Sequence, residues 1–399
     1  MERAGRAMME RLFTNALLPD GSAADLAVSG GRFIEISPRL PGERAAETID
    51  LEGRLVVPGF VDGHIHLDKS FFGETWQPHR PAASLRERLA VEKAMLADVR
   101  PVTVRADVLI GQAASLGTVA MRSHVDVDAT TGLSHLHAVM AAREKWRGRM
   151  DIELVAFPQA GILTCPGTAE VLDAAIREGA EVIGGIDPLG MDGDSEGHLG
   201  VVFGIAERRG ARIDIHLHEA GEGGIRQILR IAERTRALGM AGRVVISHAY
   251  ALGDVPDDVV DSTARALADA GVAIMTNAPG DRAFPPILRL RAAGVRVFAG
   301  NDNIRDAWWP YGNGDMLQRA MLIGYRSGFH TDAHLEIALA MATTEAAAAI
   351  GREGHGLLPG ARADFVAIRA PNAAAAVAAP PTERLVVRNG ISLDPAAAI

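Results

Sequence analysis

Two histidines near the start of the chain are the residues whose spacing points most directly to chemistry. They end a short apolar stretch, residues 57–66, as His64-Ile-His66. Residues two apart on a β-strand face the same side, so both imidazoles would project together. Two imidazoles on one face suit a single divalent metal ion. The alternative is a pair of histidines that merely ends a strand, and residues further along the chain decide between the two.

Polar residues that would complete such a site end other apolar segments. His216 and His218 end one segment, His248 ends the next, and Asp302 ends the last. Including the segment of the histidine pair there are eight, and stretches of helical periodicity separate them. The apolar segments cover residues 60–66, 118–125, 152–158, 182–187, 213–218, 244–248, 272–277 and 295–302.

This alternation predicts the fold. Eight buried strands that alternate with helices are typical of an α/β protein with a (β/α)8 TIM barrel. A doubly wound open sheet is the competing architecture, although no glycine-rich dinucleotide-binding motif follows the first segment. Short strand-like segments in residues 1–57 and 351–399 are expected to form one small β-sandwich domain from both chain ends, which leaves residues 58–350 for the barrel.

A barrel would bring the polar residues together, because the C-terminal ends of its strands meet at one face. His64, His66, His216 and Asp302 would then offer three nitrogens and one oxygen. That ligand set suits Zn²⁺ or Fe²⁺ and leaves room for water. His248 would be a further ligand or would stabilise charge on a substrate.

The overall composition argues against several classes of partner. The net charge is −9 and no basic run occurs, which argues against nucleic acid or an anionic membrane. No apolar run reaches the length of a membrane span. The first residues lack the apolar core of a secretion signal, so we expect a cytoplasmic protein. The single cysteine, Cys165, excludes an internal disulfide.

The candidate ligand set and several sequence segments resemble the amidohydrolase superfamily over nearly the whole chain. Residues 57–69, 122–126, 155–162 and 246–248 are similar to its cytosine deaminase branch, and residues 302–316 are similar to triazine-processing members of that branch. Some binuclear members place a carboxylated lysine at the end of the fourth strand. Asp187 stands there instead, so the resemblance implies one divalent metal ion, Zn²⁺ or alternatively Fe²⁺.

The resemblance also implies an activity. It is that of a metal-dependent hydrolase that removes an exocyclic amine, either ammonia or an alkylamine, from a pyrimidine- or triazine-like N-heterocycle. Metal-bound hydroxide would attack the ring carbon, with Asp302 as general base and His248 stabilising developing charge. Two residues remain candidates for protonating the leaving amine. Strand alternation points His218 inward, whereas the resemblance indicates Glu219, to which we give slight preference.

A further set of residues is expected to contact a small-molecule substrate. These are Gln159, Lys69, Asp187, Asn303, Trp308 and Trp309. Asn303 replaces an aspartate of the cytosine enzymes, which argues against cytosine itself. Like many barrels of this branch, the protein is expected to be a homo-oligomer.

Two other functions fit a barrel of this kind. One is hydrolysis of a cyclic amide or urea, against which the missing lysine of the fourth strand argues. The other is a non-catalytic scaffold, against which the complete ligand set argues.

Overall fold

A computed structural model of the chain describes residues 9–393, apart from the side chains of Leu85 and Arg86. Residues 1–8 and 394–399, which the expected small β domain includes, lie outside the described part. The two chain ends together form one sheet, and the central segment forms a second sheet. The predicted (β/α)8 barrel with a small β domain built from both ends of the chain is confirmed.

The small domain is an eight-stranded mixed sheet. Its strands follow the order β16-β15-β14-β5-β1-β2-β3, and β4 pairs in parallel with β1. The strands are β1 (Met9–Leu17), β2 (Ala23–Ser29), β3 (Arg32–Ser37), β4 (Ala45–Asp50), β5 (Leu55–Pro58), β14 (Phe365–Ile368), β15 (Arg384–Arg388) and β16 (Ile391–Ser392). The antiparallel pair β5 and β14 joins the two ends of the chain.

Aromatic side chains from both ends hold this sheet together. The ring of Phe365 packs edge-to-face on that of Phe13, with centroids 5.0 Å apart, and lies 6.0 Å from that of Phe33. All three are fully buried. Such aromatic contacts add to the free energy gained by burying their area.

The central segment forms eight parallel strands in sequence order. They are β6 (Phe60–Ile65), β7 (Thr118–Asp126), β8 (Asp151–Phe157), β9 (Val182–Ile186), β10 (Arg212–Leu217), β11 (Val244–His248), β12 (Ala273–Thr276) and β13 (Val297–Ala299). Their residues are almost all buried on both faces, which explains why the sequence shows continuous apolar runs rather than strict alternation.

The barrel closes between β6 and the segment after β13. Ile65 and Asp302 form a parallel bridge, and the amide of Asp302 donates to the carbonyl of His64 at 2.7 Å. Two glycines permit this close approach. A Cβ on Gly63 would lie 2.8 Å from the carbonyl oxygen of Ala299, and one on Gly300 would lie 2.7 Å from the backbone of His64.

Helices surround the barrel and close its N-terminal end. They are α1 (Leu85–Leu96), α2 (Val102–Ser115), α3 (Ser134–Lys145), α4 (Thr168–Arg177), α5 (Pro188–Asp192), α6 (Ser195–Arg209), α7 (Gly221–Ala237), α8 (Asp257–Ala270), α9 (Ile287–Ala292), α10 (Met316–Arg326), α11 (Asp332–Met341), α12 (Thr344–Ala349) and α13 (Ala373–Ala378). Several begin at a side-chain cap, such as Asp194 before α6 and Thr331 before α11. The alanines of α12 pack on Phe298 and Met275 inside the barrel.

Buried ion pairs dock the small sheet on the barrel. Arg388 of β15 bonds Asp364 at 2.6 Å and reaches Asp151, the first residue of β8, at 2.9 Å. Arg384 forms a two-pronged pair with Asp315, which also caps α10. Removing one partner of such a pair leaves an uncompensated buried charge, so these contacts fix the relative position of the two sheets.

Within residues 9–393, none of the helices combines the length and the apolar character that crossing a membrane requires.

The seam, where β6 meets the segment after β13, predicts opposite effects on stability for two glycine variants. Gly63→Ala should destabilise the protein by about 1–3 kcal/mol, because the added methyl group is overpacked against Phe298 and Ala299. Gly200→Ala, in the middle of α6 with no atom near its Cβ position, should stabilise it by about 0.5–1 kcal/mol. Denaturant unfolding measures both. Equal stability of the two variants would contradict the steric account of the seam.

Candidate active site and metal centre

Four side chains meet at the C-terminal end of the barrel. One ligand atom from each of His64, His66, His216 and Asp302 lies within 4.8 Å of the others. Nε2 of His64 is 3.5 Å and Nε2 of His66 is 3.4 Å from Oδ1 of Asp302. All four side chains are buried. The structure therefore brings together the four residues that the sequence proposes as metal ligands.

Local backbone geometry places these ligands. His64 lies on β6 and His216 on β10, and His66 follows β6 by one residue on the same face. Asp302 has a left-handed backbone with φ of 63°. Its amide is held by His64, and its Oδ2 accepts from Nδ2 of Asn277 at 2.9 Å, which leaves Oδ1 toward the histidines. Strained backbone of this kind is typical of functional sites.

The chemistry of the four residues fits a cation. Nε2 of His64, Nδ1 of His66 and both ring nitrogens of His216 are buried without a hydrogen-bond partner. Burial lowers the pKa of His66 to about 4, assisted by the charge of Lys69, and burial lowers the pKa of His216 well below its usual value. Neutral imidazoles are the form that binds metal, so the site is prepared for an ion.

His248 and Tyr250 form one wall of the site. The ring of His248 is 5.2 Å from that of His64 and 5.0 Å from that of His216. Burial also lowers the pKa of His248 well below its usual value. The hydroxyl of Tyr250 lies 3.5 Å from Nδ1 of His248. His248 is therefore a neutral imidazole beside the ligands.

The two candidate proton donors occupy different environments. Both carboxylate oxygens of Asp187 contact His218, at 2.6 Å to its amide and 2.8 Å to Nδ1. Burial opposes protonation of His218, but Asp187 overcomes it and raises the pKa of the imidazole. The His218 ring stacks on that of His248 at 4.6 Å. Because Asp187 occupies Nδ1, Nε2 is the ring nitrogen of His218 that is left for another partner.

Helix α5 holds one carboxylate oxygen of Glu219, while the other, Oε2, is buried without a hydrogen-bond partner among the described residues. Oε1 accepts from the amides of Leu189 and Gly190, at 2.9 and 2.6 Å, in the first turn of α5. Burial raises the pKa of Glu219 despite these bonds. Strand β10 ends at Leu217, one residue before His218, so alternation alone does not fix either side chain. Asp187 and the α5 backbone fix them instead.

Lys69 lies in a buried group of opposite charges beside the ligands. Its Nζ is 2.9 Å from Oδ1 of Asp126 and 3.9 Å from Glu92. Burial alone would lower the pKa of Lys69, but these carboxylates and Asp68 raise it. Burial raises the pKa of Asp126 to about 8. Lys69 is thus a fixed cation at the edge of the site.

Helix α1 contributes a carboxylate that sequence reasoning overlooks. Glu92 accepts from Nε2 of Gln159 at 2.5 Å and from the indole nitrogen of Trp308. Only 2% of Glu92 is exposed. A glutamate in a charged helical stretch is expected to lie on the surface. The sequence indicates burial of this glutamate only through an apolar residue at a neighbouring position of α1. Glu92 links Lys69, Gln159 and Trp308 in one cluster.

The loop after β13 carries the remaining proposed substrate contacts. Nδ2 of Asn303 donates to Asp306 at 2.6 Å, and Asp306 also accepts from the amides of Trp308 and Trp309. Burial raises the pKa of Asp306 to about 7. Trp309 packs near Tyr311, with ring centroids 5.4 Å apart. Asp306 thereby sets the conformation of this loop.

Comparison with known proteins identifies the family. A sequence profile of the amidohydrolase family matches residues 47–97 and 97–392. The chain belongs to the amidohydrolase family. This amidohydrolase is 32% identical over 390 residues to N-isopropylammelide isopropyl amidohydrolase of Pseudomonas sp. (strain ADP), which covers 95% of this chain and 96% of that protein.

Solved structures agree with this assignment. N-isopropylammelide isopropylaminohydrolase from Burkholderia multivorans ATCC 17616 superimposes with a TM-score of 0.92 and 41% identity, over 96% of this chain and 97% of that one. 5-Methylcytosine deaminase from Klebsiella pneumoniae gives a TM-score of 0.86 and 27% identity over the same shares of the two chains. The family resemblance expected from the sequence is confirmed, and the protein is an enzyme that acts on C–N bonds.

Amidohydrolases depend on a metal ion, and the buried histidine–aspartate cluster of this amidohydrolase is suited to hold one. The barrel brings one ligand atom of each of the four residues within 4.8 Å of the others. The geometry therefore agrees with the family assignment.

Metal titration tests the site. Zn²⁺ added to metal-stripped protein should bind with about one equivalent. At a free concentration about 100-fold above its dissociation constant it should stabilise the fold by about 2.7 kcal/mol. His216→Asn should abolish both effects. His137→Asn, which changes an exposed histidine bonded to Glu178, should leave them intact. Unchanged affinity in the His216 variant would refute the ligand set.

Proposed function

We propose that this amidohydrolase removes an exocyclic amine from an oxo-substituted N-heterocycle of the triazine or pyrimidine class. The observation that carries the proposal is the cluster of His64, His66, His216 and Asp302 beside a histidine, His218, whose second ring nitrogen is available. One divalent ion, Zn²⁺ or Fe²⁺, would be held by these four ligands. When bound, it lowers the pKa of a water molecule and polarises the reacting carbon.

Asp302 is the proposed general base. Its Oδ2 is fixed by Asn277, and its Oδ1 lies beside the ligating nitrogen of His64, where we propose that the attacking water is bound. A carboxylate fixed in this way accepts a proton from the attacking water without having to reorient. His248, neutral and 5.2 Å from the ring of His64, is placed to stabilise charge that develops on the substrate.

His218 is the better candidate for delivering a proton to the leaving amine. Asp187 fixes its ring and favours its protonated form, as a general acid requires. One oxygen of the Glu219 carboxylate is engaged by the backbone of α5, and no charged partner holds Glu219 as Asp187 holds His218 among the described residues. On the strength of these contacts we favour His218, whereas the sequence alone gives slight preference to Glu219.

The arrangement of two amide side chains supports the ring type. Glu92 is an acceptor, so the Gln159 amide must turn Nε2 toward it, which leaves Oε1 as the free acceptor. Asn303 donates its Nδ2 to Asp306 and likewise leaves its oxygen free. Free amide oxygens select ring N–H groups, as found in oxo-tautomers of triazines and pyrimidines. The similarity to the N-isopropylammelide enzymes supports a triazine with an alkylamino substituent.

A product screen tests the reaction. Metal-loaded enzyme should release isopropylamine from N-isopropylammelide or ammonia from 5-methylcytosine, the compounds that relatives are named for. Other aminated oxo-triazines and oxo-pyrimidines extend the panel. A cyclic amide or urea serves as the counter-test. Ring opening without amine release would replace the proposal with the cyclic-amide function.

Asp302→Asn tests the base. It should reduce kcat by at least about 100-fold, the usual contribution of a general base, while leaving the thermal unfolding midpoint nearly unchanged. The variant keeps the backbone amide of residue 302, so the hydrogen bond to the His64 carbonyl that closes the barrel is retained. Near-wild-type turnover in a folded variant would exclude Asp302 as base.

A matched pair distinguishes the two proton donors. His218→Gln should lower kcat about 100-fold or more, and Glu219→Gln should have a much smaller effect on kcat. Both substitutions remove a titratable group at adjacent positions and preserve hydrogen-bonding capacity. The opposite ranking would assign proton transfer to Glu219.

A further inference from the structure

A hydrogen-bonded chain runs from the interior of the barrel to one proposed metal ligand. Nδ1 of His64 lies 2.9 Å from Oγ of Ser247, and that hydroxyl donates to Oδ1 of Asp214 at 2.6 Å. Oδ2 of Asp214 accepts from Nη1 of Arg122 at 2.9 Å. All four side chains are at most 1% exposed. No part of the proposed reaction uses Ser247, Asp214 or Arg122.

The direction of each bond in this chain follows from the chemistry of the groups. A carboxylate paired with Arg122 accepts only, so the single hydroxyl hydrogen of Ser247 must point to Asp214. The Ser247 oxygen is then left as an acceptor toward His64. His64 must therefore carry its proton on Nδ1, which leaves the lone pair of Nε2 toward Asp302 and the other ligands.

The carboxylate at the centre of the chain is itself held in place. The Nε of Arg122 bonds Glu153 at 2.6 Å, so the guanidinium is fixed on two sides. The ring of His124 stacks on that of His64 at 3.8 Å, and its Nε2 lies 3.6 Å from Oδ2 of Asp214. Neither the Asp214 carboxylate nor the His64 ring is free to rotate.

We propose that Ser247 and Asp214, anchored by Arg122, are positioning residues that fix the His64 tautomer and thereby set the affinity of the metal centre. The proposal rests on the assignment of His64 as a ligand. It is independent of which substrate the enzyme takes. Outer partners of ligating histidines typically contribute about 10- to 100-fold to metal affinity.

The first test is the Zn²⁺ dissociation constant, measured without substrate by competition with a chromophoric chelator at fixed pH. Ser247→Ala should raise this constant about 10- to 100-fold. Ser247→Thr, which keeps the hydroxyl, should restore affinity close to wild type. Thr118→Val is the control. It removes a buried hydroxyl at the first residue of β7, at the opposite end of the barrel from the ligands, and should leave the affinity for Zn²⁺ unchanged.

Asp214→Asn provides a sharper test, because it preserves shape but changes the direction of the chain. Arg122 donates only, so it must keep the amide oxygen, and the amide NH₂ then faces Ser247. Ser247 would accept from Asn and donate to His64, which moves the His64 proton to Nε2 and blocks the metal. The affinity of Asp214→Asn should fall at least as far as that of Ser247→Ala.

The double variant separates this chain from general damage. If Asp214 acts through Ser247, Ser247→Ala with Asp214→Asn should lose no more affinity than the weaker-binding of the two single variants. Wild-type affinity in Ser247→Ala, no rescue by Ser247→Thr, or full additivity in the double variant would each overturn the proposal. If Asp214→Asn does not fold, the two Ser247 variants and Thr118→Val decide it alone.

Loss of metal affinity and loss of the proposed reaction are distinguishable. A protein that releases no amine from any heterocycle can still show the Ser247 effect on Zn²⁺. Conversely, if the enzyme is active but its Zn²⁺ affinity is the same with and without the Ser247 hydroxyl, the proposed function stands and the role of Ser247 is refuted.

Discussion

The pairing of Asp302 with the first barrel strand is the contact on which the rest of the structure depends. The hydrogen bond from the Asp302 amide to the His64 carbonyl closes the barrel, together with the bonds of Asn301 to the Asp62 carboxylate, and also brings two proposed ligands together. Gly63 and Gly300 permit the approach because a side chain at either position would collide with the opposite strand. Fold closure and site assembly are therefore one event.

The interior of this barrel is unusually polar near its C-terminal end, and its charges are arranged in layers. Arg122 and Asp214 lie below the histidines, and Lys69, Asp126 and Glu92 lie beside them. Arg122 is paired with Asp214 and Lys69 with Asp126, because an unpaired buried charge would cost several kcal/mol. By contrast, the candidate ligands His64, His66 and His216 each carry a buried ring nitrogen with no hydrogen-bond partner among the described residues. That contrast is the physical reason to assign an ion to the histidines.

Backbone conformation explains where simple alternation fails. Ser247 and His248 are adjacent on β11, and alternation would turn them to opposite faces. His248 has a φ of 73°, and this left-handed turn lets both side chains reach the barrel interior. Ser247 was therefore hidden from sequence reasoning, although it follows directly from the observed backbone. Alternation also fails for His218 and Glu219 one strand earlier, because β10 ends before either residue.

The sequence by itself determined the barrel, the small sheet from both chain ends, the family and the four candidate ligands. The spacing of apolar residues and the residue types at strand ends are local properties of the sequence. They predict the position of the site because the strands of a TIM barrel converge at one face. Tertiary structure alone showed that Asp187 holds His218 while α5 holds Glu219, that Glu92 enters the site from α1, and that Ser247 joins Asp214 to His64. Those outcomes depend on contacts between residues far apart in the chain and on left-handed turns at strand ends, and neither leaves a periodic signal in the sequence.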